Sequence, residues 1–218
     1  MPQLTGANHG KLKKEYKLQD ILIYDCETRN KGTFKDPQNT MGFLCGCIYS
    51  YNRDTYFIFD NSSELIRALN GNICASFNGI NFDTRLLLGN NRKYRLNFPY
   101  FKIVSRETYW LEYDIFLIVL SSFYGIKLSE SVKKKSPGGL NLNDLCKMTL
   151  NKQKISINFN TSNFIETIEY CLHDIRITRK LFEFFIKNGY LRSPKQGKIR
   201  IPLKYRENIK NNPSFLRK

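Results

Sequence analysis

The sequence predicts an α/β fold in which helices flank a mixed β-sheet. Short runs rich in β-branched and aromatic residues come first in the chain, and strand-like runs then alternate with segments of helical periodicity. Antiparallel strands followed by alternating strands and helices are typical of a mixed sheet. With 218 residues, of which 41% are hydrophobic and 14% aromatic, the chain can form one well-packed domain.

Five segments have the composition of strands: 21–26, 41–50, 55–60, 73–78 and the first part of 109–123. Polar residues between the second and third segments predict an antiparallel hairpin. The last segment is long and apolar, and we expect it to change from strand to helix near Asp114.

Helices are predicted at 62–70, 82–88, 140–150 and about 162–187. The last has apolar residues at spacings of three and four, which gives one face for packing, and Gly189 is expected to end it. We expect a flexible basic loop at 129–139 and weak structure after Pro194. The predicted organisation is a basic arm (1–18), one domain (19–190) and a basic tail (191–218).

The chain is strongly basic, with 35 Lys and Arg against 19 Asp and Glu and a formal charge of +16. Two acid-poor stretches, 84–106 and the tail, carry much of the excess, and the first also contains interleaved aromatic residues. Basic surfaces with aromatic rings suit phosphate backbones and stacked bases, so nucleic acid is the expected partner. A solvated basic face is the alternative for charge alone.

The expected location is intracellular and cytoplasmic. No apolar run approaches the roughly 20 residues that span a bilayer, and the N-terminal residues contain no apolar secretory core, so no membrane partner is expected. The six cysteines form no CxxC pair and lie mostly within apolar segments, which favours reduced, buried thiols.

Two acids, Asp25 and Glu27, end the first predicted strand. Side chains alternate along a strand, so both carboxylates lie on the same side. Two negative charges so close repel each other unless a cation lies between them, and oxygen ligands suit Mg²⁺ or Mn²⁺. For this pair alone, a solvated strand end is the alternative.

Two further motifs contain acids. Asp83 follows Phe82 at the start of a predicted helix, where favourable interaction with the helix dipole is the ordinary explanation. Tyr170 and Asp174 are four residues apart on the long helix and therefore project from the same side. Taken singly, they also fit a core tyrosine and an acid paired with a basic neighbour.

Together these motifs resemble the DEDD (DnaQ-like) 3′–5′ exonucleases of the RNase H-like superfamily. The pattern Asp-x-Glu, then Asn-x-x-x-Phe-Asp, then Tyr-x-x-x-Asp matches the DEDDy branch, which includes proofreading domains of family B DNA polymerases. The resemblance implies an RNase H-like mixed five-stranded sheet flanked by helices. It also implies that four acids hold two Mg²⁺ or Mn²⁺ ions and that a tyrosine orients the attacking water: Asp25, Glu27, Asp83, Asp174 and Tyr170.

The same resemblance implies other roles. The sister branch has His five residues before the last Asp, where this chain has Glu169, so we expect His173 to be a neighbour of the site only. Asp114 corresponds to an ancillary acid. Lys154, with Lys152 as the alternative, is expected near the scissile phosphate. The expected substrate-binding residues are Thr28, Asn78, Phe82 and Lys154.

The predicted function is a metal-dependent 3′–5′ exonuclease that releases nucleoside monophosphates from single-stranded DNA or RNA. A polymerase, helicase or other replication or repair protein is a candidate partner. A non-catalytic nucleic-acid-binding module and an RNase H-like endonuclease are the alternatives. Four clustered acids are unnecessary for binding alone, and the Tyr-x-x-x-Asp helix favours an exonuclease.

Overall fold

The computed structural model describes residues 21–30, 36–90, 92–105, 108–158 and 163–210. The predicted basic arm (1–18) and residues 211–218 of the predicted tail lie outside the described residues.

Within these ranges, seven strands form a mixed sheet: β1 (Ile21–Thr28), β2 (Phe43–Ser50), β3 (Thr55–Phe59), β4 (Ile73–Ser76), β5 (Lys93–Asn97), β6 (Tyr100–Ser105) and β7 (Thr108–Asp114). Their spatial order is β3-β2-β1-β4-β7-β6-β5. The central pairs β1–β4 and β4–β7 are parallel, and the other neighbours are antiparallel. This confirms the predicted fold class and is compatible with an RNase H-like fold.

The sheet has two more strands than the five predicted. Strands β5 and β6 form a hairpin that extends the sheet beyond β7. Strand β5 alternates polar and apolar residues over only five positions, and four of the five are exposed, so the pattern is too short to identify the strand.

The described helices are α1 (Pro37–Thr40), α2 (Ser62–Leu69), α3 (Asp83–Leu88), α4 (Ile115–Tyr124), α5 (Leu128–Ser131), α6 (Leu142–Leu150), α7 (Phe164–Asn188) and α8 (Glu207–Lys210). The predictions of α2, α3, α6 and α7 are confirmed. The change from strand to helix occurs at Asp114, as predicted, because its side chain caps α4 by accepting from the Leu117 amide. Among the described helices, none is both long and apolar enough to cross a membrane.

Helix α7 packs against β1 and β2 and carries two of the predicted site residues. It begins with a capping box in which Asn163 and Glu166 satisfy each other's backbone amides. Its apolar stripe is buried, including Ile175 and Phe182. It ends at Gly189, whose φ of 76° is the left-handed conformation that glycine adopts without strain, as the sequence predicted.

The chain after α7 is more ordered than predicted. Strands β8 (Tyr190–Ser193) and β9 (Gly197–Arg200) form a second, two-stranded sheet, followed by a 3₁₀ turn and α8. Ile199 and Tyr205 are buried in the core, so the weak structure predicted after Pro194 is wrong for this segment. Arg206 donates to the carbonyls of Ile186 (2.9 Å) and Ile201 (3.1 Å) and so joins this segment to the end of α7.

Candidate active site

The end of β1 places Asp25 and Glu27 on the sheet face that α7 covers. Asp25 is partly buried and Glu27 is 9% exposed. The Cys171 thiol of α7 lies 3.8 Å from Asp25 Oδ2, which shows that the carboxylate faces the helix. The pairing of β1 with β2 shifts between Glu27 and Thr28, so the ladder becomes irregular directly after the two acids.

Asp83 contacts the backbone of the same strand end. It is the first residue of α3, is 1% exposed, and its Oδ1 accepts a hydrogen bond of 3.0 Å from the Cys26 amide. Cys26 lies between the two β1 acids in the sequence. The contact therefore fixes Asp83 beside Asp25 and Glu27. A favourable interaction with the helix dipole would not by itself require this contact.

Asp174 is buried on α7 and forms an ion pair with Lys154 through Oδ2. Its other oxygen, Oδ1, is buried and has no hydrogen-bond partner within the described part of the chain. A buried carboxylate oxygen without a donor is costly, and a bound cation would remove that cost.

Lys154 is held at the site by its backbone and its side chain. Its amide donates to Asn143 Oδ1 at 3.0 Å, and its Nζ lies 4.6 Å from the centre of the Tyr170 ring. Lys152, the alternative from the sequence, is exposed. The structure therefore brings Lys154, and not Lys152, to Asp174.

The carboxylates influence one another's protonation. Burial, reinforced by the charges of Asp83 and Asp174, raises the pKa of Asp25 well above its ordinary value. Burial and the charge of Asp25 do the same to the pKa of Glu27. Asp25 is thus coupled to each of the other three acids, although the four lie on three different elements.

Two other groups have informative pKa values. Burial and the charge of Glu112 raise the pKa of Asp83 to about 8. Burial and the charge of Asp174 raise the pKa of Tyr170 to about 12, so the phenol keeps its proton at neutral pH. Tyr170 is therefore a hydrogen-bond donor here and not a base.

The remaining predicted residues lie close to the acids in the sequence, and the structure gives the following environment for each. Thr28 is half-buried at the end of β1, and Phe82 is half-buried directly before α3. Asn78 adopts a positive φ of 71°, and its amide donates to Asp114. His173 makes a contact of 3.1 Å with the carbonyl of Gln153, which ties α7 to the segment that carries Lys154.

Asp114 positions the turn that leads to Asp83. Its carboxylate accepts from the amides of Asn78 (3.2 Å), Ile80 (3.0 Å) and Leu117 (3.0 Å). These bonds hold the 78–80 turn against the N-terminus of α4. Asp114 is thus a support for the loop before α3, consistent with the ancillary position that the resemblance implied.

Sequence reasoning did not identify Glu112, which is fully buried in β7. Its carboxyl group is hydrogen-bonded to Tyr24 Oη and Trp110 Nε1, both at 2.9 Å, and to Ser76 Oγ. Burial raises its pKa to about 8. The available signal is weak: in the run "YWLEYD" an acid occurs inside an otherwise apolar strand, two residues before Asp114.

The same network explains Gly79. A Cβ atom at this position would lie 2.1 Å from Ser76 Oγ and 3.0 Å from Glu112 Oε1. The turn after β4 can therefore approach the network only without a side chain at this position.

The residues fit a site for divalent cations. Hard oxygen ligands are available from four acids: Asp25, Glu27, Asp83 and Asp174. The Lys154 ammonium group is paired directly with Asp174. The Oδ1 of Asp174, without a partner among the described residues, is the specific observation that favours cation binding. The closest set of ligand atoms, all within 4.8 Å of one another, comes from Asp25, Glu27 and Cys171, and the thiol was not predicted.

Comparisons with known proteins give the following. No family model matches the sequence, and no curated protein matches it. A structure of Phi29 DNA polymerase with primer-template DNA and incoming nucleotide substrates matches with 10% identity and a TM-score of 0.42, over 78% of this chain and 31% of that chain. A structure of the same polymerase with single-stranded DNA matches with 12% identity and a TM-score of 0.40, over 77% of this chain and 32% of that chain. The chain spans about a third of the length of these polymerases.

Proposed function

We propose that this protein is a metal-dependent 3′–5′ exonuclease that hydrolyses the terminal phosphodiester bond of a single strand and releases nucleoside monophosphates. One observation carries the proposal. Asp25 is coupled electrostatically to Glu27, Asp83 and Asp174, and a buried Asp174 oxygen has no partner among the described residues, while Asp174 is paired with Lys154. An assembly of this composition suits phosphoryl chemistry with Mg²⁺ or Mn²⁺.

The acids would hold the two cations of the proposed mechanism. When bound, such ions supply a water of lowered pKa and neutralise the charge that develops on the phosphate. Asp25 and Glu27, on one face of a rigid strand, provide ligands whose spacing is fixed by the sheet. Asp83 is fixed by the Cys26 amide, and Asp174 by its helix, so the ligands are preorganised before any cation arrives.

Tyr170 and Lys154 are assigned to the substrate side of the site. With its pKa near 12, the Tyr170 phenol keeps its proton and can orient the attacking water by a hydrogen bond. Lys154 pairs with Asp174. With Asp174 bound to a cation, the Lys154 ammonium group would be free to bind a phosphate oxygen.

The terminal nucleotide would bind next to the acids. Thr28 directly follows them, and Phe82 is the half-buried ring nearest in sequence to Asp83, where it can stack on a base. The positive-φ turn at Asn78 lies four residues before this ring and supplies polar groups. The strongly basic surface would attract the strand, with DNA and RNA both in the proposed substrate class.

The test is digestion of 5′-labelled single-stranded DNA and RNA by the purified protein in Mg²⁺, in Mn²⁺ and in EDTA. We expect stepwise shortening that requires the metal. The Asp174→Asn variant should lose more than about a hundredfold in rate, because loss of even an outer partner of a metal ligand typically costs 10–100-fold. Glu169→Gln is the matched control, since Glu169 is exposed on the same helix.

Three results would contradict the proposal. Binding without hydrolysis in any divalent metal would indicate a non-catalytic module, and cleavage of a circular strand would indicate an endonuclease. Full activity of Asp174→Asn in a preparation with the wild-type melting profile would remove Asp174 from the site.

A further inference from the structure

A group of thiols lies directly beneath the acids of β1. Cys171 Sγ is 3.5 Å from the Asp25 carbonyl oxygen and 3.8 Å from Asp25 Oδ2. The Cα partners of Asp25 and Glu27 on β2 are also cysteines, Cys47 and Cys45, so their side chains share the face beneath α7. Both thiols interact directly with the Cys171 thiol.

The ligand atoms already have nearly the spacing of a zinc site. One sulfur and one carboxylate oxygen on each of two acids lie within 4.8 Å of one another: Cys171, Asp25 and Glu27. Bonds of about 2.3 Å to sulfur and 2.1 Å to oxygen at a tetrahedral angle place two such ligands about 3.6 Å apart. Side-chain shifts of about 1 Å would therefore bring the three ligands to bonding distance, with water in the fourth position.

A second observation indicates that a cation belongs here. Asp174 is 3% exposed, its Oδ1 has no partner within the described residues, and its charge acts on both Asp25 and Glu27. Three thiols and two carboxylates thus lie near a third carboxylate, that of Asp174, of which one oxygen is paired with Lys154 and the other has no partner among the described residues. Hard cations such as Mg²⁺ use only its oxygens, whereas thiolates select softer ions such as Zn²⁺.

We propose that Cys171, Asp25 and Glu27 form a binding site for Zn²⁺ that overlaps the proposed Mg²⁺ or Mn²⁺ site. On binding, the Cys171 thiol releases its proton to solvent and its sulfur forms a bond to zinc. Because two ligands are shared, bound Zn²⁺ excludes the activating cation and inhibits hydrolysis. The inhibition rests on the proposed function, but the binding of zinc does not.

The test of binding uses metal-free, full-length protein and Cd²⁺, which binds thiolates as Zn²⁺ does and gives a thiolate-to-metal absorption band in the ultraviolet. Wild-type protein should develop this band with one equivalent of Cd²⁺. Cys171→Ser and Cys171→Ala should lose it and should bind Zn²⁺ at least about tenfold more weakly. Cys74→Ser is the matched control, because Cys74 is equally buried but its thiol lies on the Leu69 carbonyl.

The inhibition is measured as the Zn²⁺ concentration that halves Mn²⁺-dependent digestion, with each variant normalised to its own zinc-free rate. This concentration should rise at least about tenfold in Cys171→Ser and stay unchanged in Cys74→Ser. Lack of the band in wild-type protein, or its persistence in both Cys171 variants, would overturn the zinc site. If digestion is observed and the band is not, the zinc site alone fails. If the band depends on Cys171 and digestion never occurs, the proposed function fails and the zinc site stands.

Discussion

Replacement of Lys154 by Gln should destabilise the metal-free protein, because it leaves the buried Asp174 carboxylate without its counter-charge. Removal of one partner of a buried ion pair typically costs about 3–5 kcal/mol. The Lys154 side chain is 28% exposed, so water replaces part of the interaction, and we expect a loss of about 2 kcal/mol in the free energy of unfolding. For chains of this length, 1 kcal/mol shifts the melting temperature by about 2–4 °C, which gives a decrease of about 4–8 °C.

The assay is thermal unfolding in EDTA and in saturating Mn²⁺. In Mn²⁺ the difference between wild-type and Lys154→Gln protein should shrink, because the cation replaces the ammonium group beside Asp174. Lys152→Gln, an exposed neighbour, should stay within about 0.5 kcal/mol of wild type. The double variant Lys154→Gln, Asp174→Asn should be more stable than Lys154→Gln alone, since a neutral amide needs no counter-charge. Equal melting of the Lys154 and Lys152 variants in EDTA would refute this reasoning.

Three further predictions concern other parts of the site. In the metal-free protein, stability should fall as pH rises from about 4.5 to about 8, because the folded state raises the pKa of Glu112 from 4.5 to about 8 and holds a proton that the unfolded state has lost. Thermal unfolding across this pH range should show a shallower fall in stability for Glu112→Gln than for wild type. An equal slope of stability against pH in the two proteins would contradict a protonated Glu112. Gly79→Ala should lower the free energy of unfolding by about 1–3 kcal/mol in urea titrations, because its Cβ would lie 2.1 Å from Ser76 Oγ; wild-type stability would show that the turn has room. Tyr170→Phe should reduce the single-turnover rate at least about tenfold, because the loss of one hydrogen bond of about 1.5 kcal/mol slows a reaction by that factor. The Mn²⁺ concentration that the reaction requires should change little. A rate equal to wild type would exclude the phenol from the reaction.

Much of the fold could be predicted because the responsible patterns are local. The apolar spacing of α7, its end at Gly189 and the change from strand to helix at Asp114 all follow from residues within a few positions of one another. The acids could be proposed for the same reason, since Asp25 and Glu27 alternate on one strand. The sequence did not reveal which backbone amide would hold Asp83, because that contact joins residues 57 positions apart.

The features that were missed depend on tertiary context. Strand β5 is only five residues long and mostly exposed, so its polar–apolar alternation was too short to predict its pairing with β6. The choice of Lys154 over Lys152 depends on an irregular segment positioned by Asn143. Glu112 and Cys171 resemble ordinary strand and helix residues until the sheet brings Tyr24 to one and Asp25 to the other.

The contacts of Arg206 affect the order in which the protein can fold during its synthesis. The helix that carries Tyr170 and Asp174 ends at Asn188, but the carbonyl of Ile186 near its end receives its donor from a residue 20 positions later. A nascent chain that has left the ribosome only as far as the β8–β9 hairpin therefore still lacks this bond. The Ile186 carbonyl gains this donor only after residue 206 has emerged, so a chain shortened before that point should lose order first at the C-terminal end of this helix.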